Sequence, residues 1–172
     1  ARFGDALVDH FTYVIASDGD LMEGVSHEAC SLAGHLKLGR LIVLYDDNGI
    51  SIDGPTSLAL SDDPAKRFEA YEWHVQQVDG HDPVWVGEAI QAALADPRPS
   101  IVICKTVIGF GSPRRAGTSE AHSNAFGPEE LAATRAALDW PYAPFEIPDE
   151  VASMWRHFGA RGASTRREWQ AR

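Results

Sequence analysis

The sequence predicts an α/β fold, a parallel sheet with helices on both faces. Three observations lead there. Apolar runs of strand length alternate along the chain with segments of helical periodicity. Two of those runs, "LIVLYDD" and "SIVICKTV", are continuously apolar before their polar ends, as strands covered on both faces are. Loops rich in Gly, Asp and Pro follow the strands at their carboxyl ends, where ligands bind in such sheets.

The elements follow in order. Residues 11–16, "FTYVIA", read as a strand, and "SDGDLMEG" as a glycine turn. Residues 24–38 read as a helix with Val25, Ala29, Leu32, Ala33 and Leu36 on one face. Residues 41–47 are a buried strand, followed by a loop over 48–62. Asp63 and Pro64 supply the cap and first turn of a helix reaching Tyr71. "WHVQQV" is the next strand, and Asp82-Pro83 starts a helix through Ala95. Residues 100–107 form the fourth strand, residues 108–127 a long loop, and Pro128 opens a helix to Leu138. The Pro-rich "WPYAPFEIPDEV" closes the folded region, so the chain divides into a domain over 1–150 and a tail over 151–172.

With 172 residues and 44% hydrophobic content, the chain can bury one ordinary core. A net charge of -10 argues against a nucleic-acid partner. The tail departs from that balance, with five arginines and one glutamate, and reads as a solvated basic terminus. Cys30 and Cys104 form no C-x-x-C pair and suit a reducing, cytoplasmic setting as small buried apolar groups. No apolar run approaches about 18 residues, so no membrane partner is expected. The start, "ARFGDALVDHF", lacks the apolar centre of a signal peptide. No G-x-G-x-x-G follows the first strand, which disfavours a dinucleotide site.

The turn "SDGDLMEG" poses a chemical question. A strand, a glycine turn and a helix suit a phosphate, yet Asp18 and Asp20 bring negative charge. Asn48 stands at the next strand's end, thirty residues after Asp18. Taken singly, Asp-Gly and Asn-Gly are ordinary turn pairs. On neighbouring parallel strands, Asp18 and Asn48 would come together and offer hard oxygens. Mg²⁺ takes about six oxygens, commonly one or two carboxylates with phosphate oxygens and water. The aspartate then holds the cation that binds the phosphate, and Gly19 lets the backbone approach. The pattern reads as a metal-bridged diphosphate site.

"SDGDLMEGVSHEACSLAGHLKLGRLIVLYDDNGISIDG" resembles the cofactor-binding segment of transketolases. The resemblance continues through "RFEAYEWHV", "VDGHD", "KTVIGFGSP" and "WPYAPFEIP", covering residues 8–151. It implies the diphosphate-binding type of α/β domain, with thiamine diphosphate and Mg²⁺ as cofactors. It implies transfer of a two-carbon ketol unit from a ketose phosphate to an aldose phosphate, as in the pentose phosphate pathway. By the same resemblance, Asp18, the Asn48 side chain and the Ile50 carbonyl ligate the metal, while Gly19 and Asn48 touch the diphosphate. Glu23 and Glu28 join a carboxylate network across a dimer interface, and Ile108 packs against the thiazolium ring. His122, in the long loop after the fourth strand, is an active-site acid–base or polarising group. His27, His35, His74, His81 and His157 read as structural or surface groups, His81 within the turn before Pro83.

The chain departs from the family pattern at Ser17, which stands where glycine is usual. "HSNAFG" replaces the usual "HGAPLG", and "PTSLALSDD" matches weakly. The resemblance covers only part of a transketolase: the pyrimidine-binding domain, with the glutamate that activates the cofactor, is not in this sequence. Either a homodimer or partner chain supplies it, or the sequence is a fragment of a larger protein, and an exposed sheet edge is expected where an earlier strand would lie. Two alternatives remain. One is a related thiamine-diphosphate enzyme, such as a dihydroxyacetone or deoxyxylulose-phosphate synthase. The other is a non-catalytic binding module that keeps the fold.

Overall fold

The computed structural model describes residue 4 and residues 8–172. They fall into two compact units, one over His10–Thr134 and one of Arg135–Arg172 with the described residues among the first nine. The first unit contains a parallel four-stranded sheet. Its strands are β1 (Thr12–Ser17), β2 (Leu41–Asp47), β5 (His74–Asp79) and β6 (Ser100–Lys105), ordered β1-β2-β6-β5. Between them lie α1 (Asp18–Met22), α2 (Gly24–His35), a short antiparallel pair of β3 (Ile50–Ser51) and β4 (Gly54–Pro55), α3 (Pro64–Ala70) and α4 (Pro83–Ala95). After β6 come α5 (Glu120–Ser123) and α6 (Pro128–Ala137).

Side chains alternate between the sheet's two faces, and the core divides accordingly. Val43, Tyr45, Ile101 and Ile103 pack with Ala33 of α2 and with Ala65 and Phe68 of α3. Leu44, Val78, Val102 and Cys104 pack with Val86 and Ala89 of α4. Helices therefore cover both faces, as expected. Trp73, just before β5, is buried with its ring edge-on to Phe68 at 5.1 Å. Its indole N–H donates to the Cys30 carbonyl at 2.9 Å, tying α2 to the chain entering β5. Asp63 and Asp82 cap α3 and α4 as their sequences suggest: Asp63 accepts from the Lys66 amide, and Asp82 from the amides of Val84 and Trp85.

The strand register sets up the site. Ser17 pairs with Asp46, and Asp46 pairs with Cys104. The loops after β1, β2 and β6 therefore leave the sheet at one end, side by side.

Four details differ from the sequence reading. The "glycine turn" after β1 is mostly the one-turn helix α1. The long loops contain the β3–β4 pair, a 3-10 turn over Thr56–Leu58 and the short helix α5. The expected inward stripe of α2 faces outward: Val25, Leu32 and Leu36 are exposed, and of that stripe only Ala33 is buried. The helix packs inward instead through Cys30, Ala33 and Gly34, and the lack of a side chain at Gly34 lets it lie close to Tyr71 and Trp73. Finally, residues assigned to a plain tail form the long helix α7 (Asp149–Gln170), which has no buried residue. β1 is the sheet's edge strand, and Tyr13, Val14 and Ile15 on it are exposed.

Gly34 and Gly87 make opposed predictions. A Cβ on Gly34 would lie 1.8 Å from the Tyr71 carbonyl oxygen, whereas one on Gly87 meets nothing within 4 Å. Gly34→Ala is expected to cost about 1–3 kcal/mol through overpacking. Gly87→Ala, inside α4, is expected to stabilise by about 0.5–1 kcal/mol. Urea unfolding of both variants checks this, and a Gly34→Ala chain as stable as wild type would contradict the close contact.

Candidate functional site

Asp18 begins α1 at the carboxyl end of β1 and is buried. Its Oδ1 accepts the Tyr45 hydroxyl at 2.7 Å. Its Oδ2 accepts the backbone N–H groups of Asn48 at 3.2 Å and Gly49 at 3.0 Å. Gly49 turns with φ +70, a left-handed conformation that suits glycine and aims its N–H at Asp18. The two strand ends that the sequence pairs across thirty residues are thus in direct contact. Burial, followed by the hydrogen bond and charge of Asp18, pushes the Tyr45 phenol well above its usual range.

Above this contact opens a cavity of about 540 Å³. Gly19, Asn48, Ile50, Ile108 and His122 line it, together with Asp46 and Asp53. The expected site residues therefore converge from the loops after β1, β2 and β6, with Asp18 beneath. Glu23 and Glu28 do not join them: both are exposed on the outer side, Glu23 at the N-cap of α2 and Glu28 within that helix.

The donor set suits a hard cation. The Asp18 carboxylate, the Asn48 carboxamide oxygen and the Ile50 carbonyl are all oxygens of the kind that Mg²⁺ takes. The three donors to Asp18 are neutral, and no ion pair to it occurs among the described residues. A buried carboxylate in that state favours a cation nearby. No group of three or more His, Cys, Asp or Glu among the described residues is placed to hold a metal. A cation here would thus draw on amide and main-chain oxygens as well.

Two of the three departures from the family pattern, Ser17 and "HSNAFG", require no special backbone. Ser17 has an extended backbone, φ -109 and ψ 178, so no glycine conformation is needed. Its N–H and hydroxyl both donate to the Asp20 carboxylate, at 2.8 and 2.9 Å, and hold that carboxyl below its usual range. Ser123 lies in α5 and is not among the described residues with positive φ.

The third loop is fastened where it leaves the sheet and again within its length. Val107 N–H donates to the His81 Nε2 at 2.9 Å, and the imidazole stacks on Phe110 at 4.2 Å. Further on, buried Glu130 of α6 accepts from the Ser112 hydroxyl, from the Arg114 amide at 2.9 Å and from Arg114 Nε at 2.6 Å. These donors, the Ser112 hydroxyl foremost, hold the Glu130 carboxyl down at about 2. The sequence reading missed Tyr45, Asp46, His81 and Glu130 as supports of the site. Only "YDD" carried a signal, since polar groups ending a buried strand must find partners at the sheet's end.

A parallel α/β domain with polar loops gathered at the carboxyl ends of its strands belongs to the class of folds that bind ligands there. The comparisons sharpen that class. The family model described as transketolase, thiamine diphosphate binding domain, matches residues 1–172, and the chain belongs to this family. It is 52% identical to a transketolase of Cereibacter sphaeroides over its whole length, covering 26% of that protein. It is 59% identical to transketolase 2 of Escherichia coli K12 over 151 residues, 87% of this chain and 23% of the relative. The transketolase structure from Campylobacter jejuni superposes with a TM-score of 0.92 at 34% identity, over 98% of this chain and 27% of that one. A transketolase from Pichia stipitis in complex with sedoheptulose-7-phosphate matches with a TM-score of 0.86 at 37% identity, over 94% of this chain and 24% of that one. The chain spans about a quarter of the length of these relatives. None of the helices among the described residues is long and apolar enough to cross a membrane.

The Glu130 fastening predicts an acid response. Its carboxyl is lowered from 4.5 to about 2, so its contribution to stability is complete above the unfolded value and is lost as pH falls from 4.5 towards 2. Glu130→Gln is expected to flatten the fall of the urea midpoint across that window. Equal slopes for wild type and variant would contradict the assignment.

Proposed function

We propose that this chain supplies the magnesium–diphosphate half of a thiamine diphosphate site. The enzyme it serves transfers a two-carbon ketol unit from a ketose phosphate to an aldose phosphate. The observation that carries this is the contact of buried Asp18 with the Asn48–Gly49 turn, beneath a cavity that Gly19, Asn48, Ile50, Ile108 and His122 line. In this reading Asp18, the Asn48 side chain and the Ile50 carbonyl hold Mg²⁺, and Gly19 and Asn48 face the diphosphate. Gly19 leaves open space where a side chain would stand. Ile108 offers an apolar wall to the cofactor ring. His122 holds or moves a proton at a substrate oxygen. Thiamine diphosphate, when bound, supplies the carbanion-stabilising chemistry that ketol transfer needs.

The substrate class is supported by the Pichia stipitis transketolases, solved with sedoheptulose-7-phosphate and with xylulose-5-phosphate. In the same proposal, polypeptide outside this sequence completes the cofactor site, within a homodimer or with a partner chain. Glu23 and Glu28, exposed on α2, are available to such a partner. A cytoplasmic setting and a place in sugar-phosphate metabolism belong to the same proposal. The named relatives favour a transketolase over the related synthases.

Calorimetric titration with thiamine diphosphate, with and without Mg²⁺, tests the site. Wild type is expected to bind only with the metal, and Asp18→Asn to lose that binding. The Asn variant keeps an acceptor for the two N–H groups and an amide for Tyr45, so its stability should stay within about 1 kcal/mol of wild type. Asp18→Ala strands three donors and should lose about 1–3 kcal/mol as well. Metal-dependent binding that survives Asp18→Asn would overturn the proposal.

A further inference from the structure

Asp46 lines the same cavity as Asn48 and Ile50. It is the next residue to Tyr45 on β2, so the two side chains leave opposite faces of the strand. Tyr45 braces Asp18 from one face. Asp46 reaches the other partner of the site: the Asn48 Nδ2 donates to its Oδ2 at 3.3 Å. Its Oδ1 accepts the Thr106 hydroxyl from the chain just beyond β6. The adjacent Asp47 is spent differently, in an ion pair with Lys105 at 3.3 Å.

A carboxamide has an oxygen and an NH₂ group of nearly equal size, and only its neighbours decide which way it faces. An ionised carboxylate accepts and cannot donate, so it can face only the NH₂ side. With Nδ2 turned to Asp46, the Asn48 Oδ1 must turn the opposite way. There it accepts the Ile50 N–H at 3.0 Å, beside the main chain whose carbonyl the proposed cation shares. We infer that Asp46 is a positioning residue that fixes the Asn48 carboxamide with its oxygen, not its nitrogen, toward the metal. Thr106 in turn holds Asp46, so the end of β6 is linked to the orientation of a ligand carried by β2. The inference rests on the cofactor reading above for its consequence, but not for the hydrogen bond itself.

Two measurements on the full chain test it. The first needs no cofactor: the side-chain NH₂ resonances of Asn48, identified by their loss in Asn48→Ser, are followed by NMR. Asp46→Ala should move them to free-amide positions and speed their exchange, whereas Asp47→Ala should leave them in place, because Asp47 is engaged with Lys105 instead. The second is titration with Mg²⁺ and thiamine diphosphate. Asp46→Ala should weaken binding roughly 10–100-fold, as loss of a ligand-orienting partner does. Asp47→Ala, the control for charge at the strand end, should stay within about threefold of wild type. Unchanged Asn48 resonances in Asp46→Ala would overturn the inference. So would an Asp46→Ala variant that binds the cofactor as tightly as wild type. A wild-type chain that binds no cofactor, with the NMR contrast intact, would instead defeat the cofactor reading and leave the Asp46 hydrogen bond established.

Discussion

The structure turns on one buried carboxylate. Asp18 is removed from water at a strand end, where an unpaired charge would be costly. Three neutral donors, from Tyr45, Asn48 and Gly49, make that burial tolerable. Each depends on something further away. The Tyr45 hydroxyl arrives because β2 lies beside β1 in a register that pairs Ala16 with Tyr45. The two amides arrive because Gly49 takes a left-handed turn just past the end of β2. Asp20 stays clear of the site because Ser17 holds it with two hydrogen bonds.

The rest of the cavity is brought to Asp18 by a loop that has little intrinsic reason to stay put. Residues 108–127 contain only one short helix, yet they place Ile108 and His122 over the strand ends. Two fastenings account for this. His81, from the turn after β5, accepts the Val107 amide where the loop leaves the sheet. Glu130, on α6, gathers Ser112 and Arg114 in the middle of it. The site is thus assembled by the three loops that follow β1, β2 and β6, and held by residues that do not line it.

Much of the fold was legible because its signals are local. Asp63-Pro64 and Asp82-Pro83 announce helix starts, and the observed caps use those aspartates. "LIVLYDD" could hardly be anything but a strand covered on both sides. Asp18 and Asn48 were legible as a pair because parallel strands joined by one helix are neighbours. The outward turn of Val25, Leu32 and Leu36 was not legible: periodicity shows that a helix has an apolar stripe, not which surface takes it. Here Ala33 and Gly34 decide, because only small residues allow α2 to approach Trp73 and Tyr71. α7 was masked by Gly159, Gly162 and its arginines, although Asp149 and Glu150 in its first turn and Arg167 in its last favour a helix. His81 and Glu130 were beyond reach, since each acts on residues distant in sequence, through contacts that only the folded chain creates.

In the proposed site, Asp18, the Asn48 side chain and the Ile50 carbonyl would hold a cation that carries the diphosphate. A crystal of this chain grown with Mn²⁺ and thiamine diphosphate tests it most directly, because manganese substitutes for magnesium and scatters anomalously. The account predicts an anomalous peak bonded to an Asp18 oxygen, the Asn48 Oδ1, the Ile50 carbonyl and two phosphate oxygens. Thiamine diphosphate bound in the cavity with the manganese elsewhere, or with Asn48 presenting its nitrogen, would contradict it.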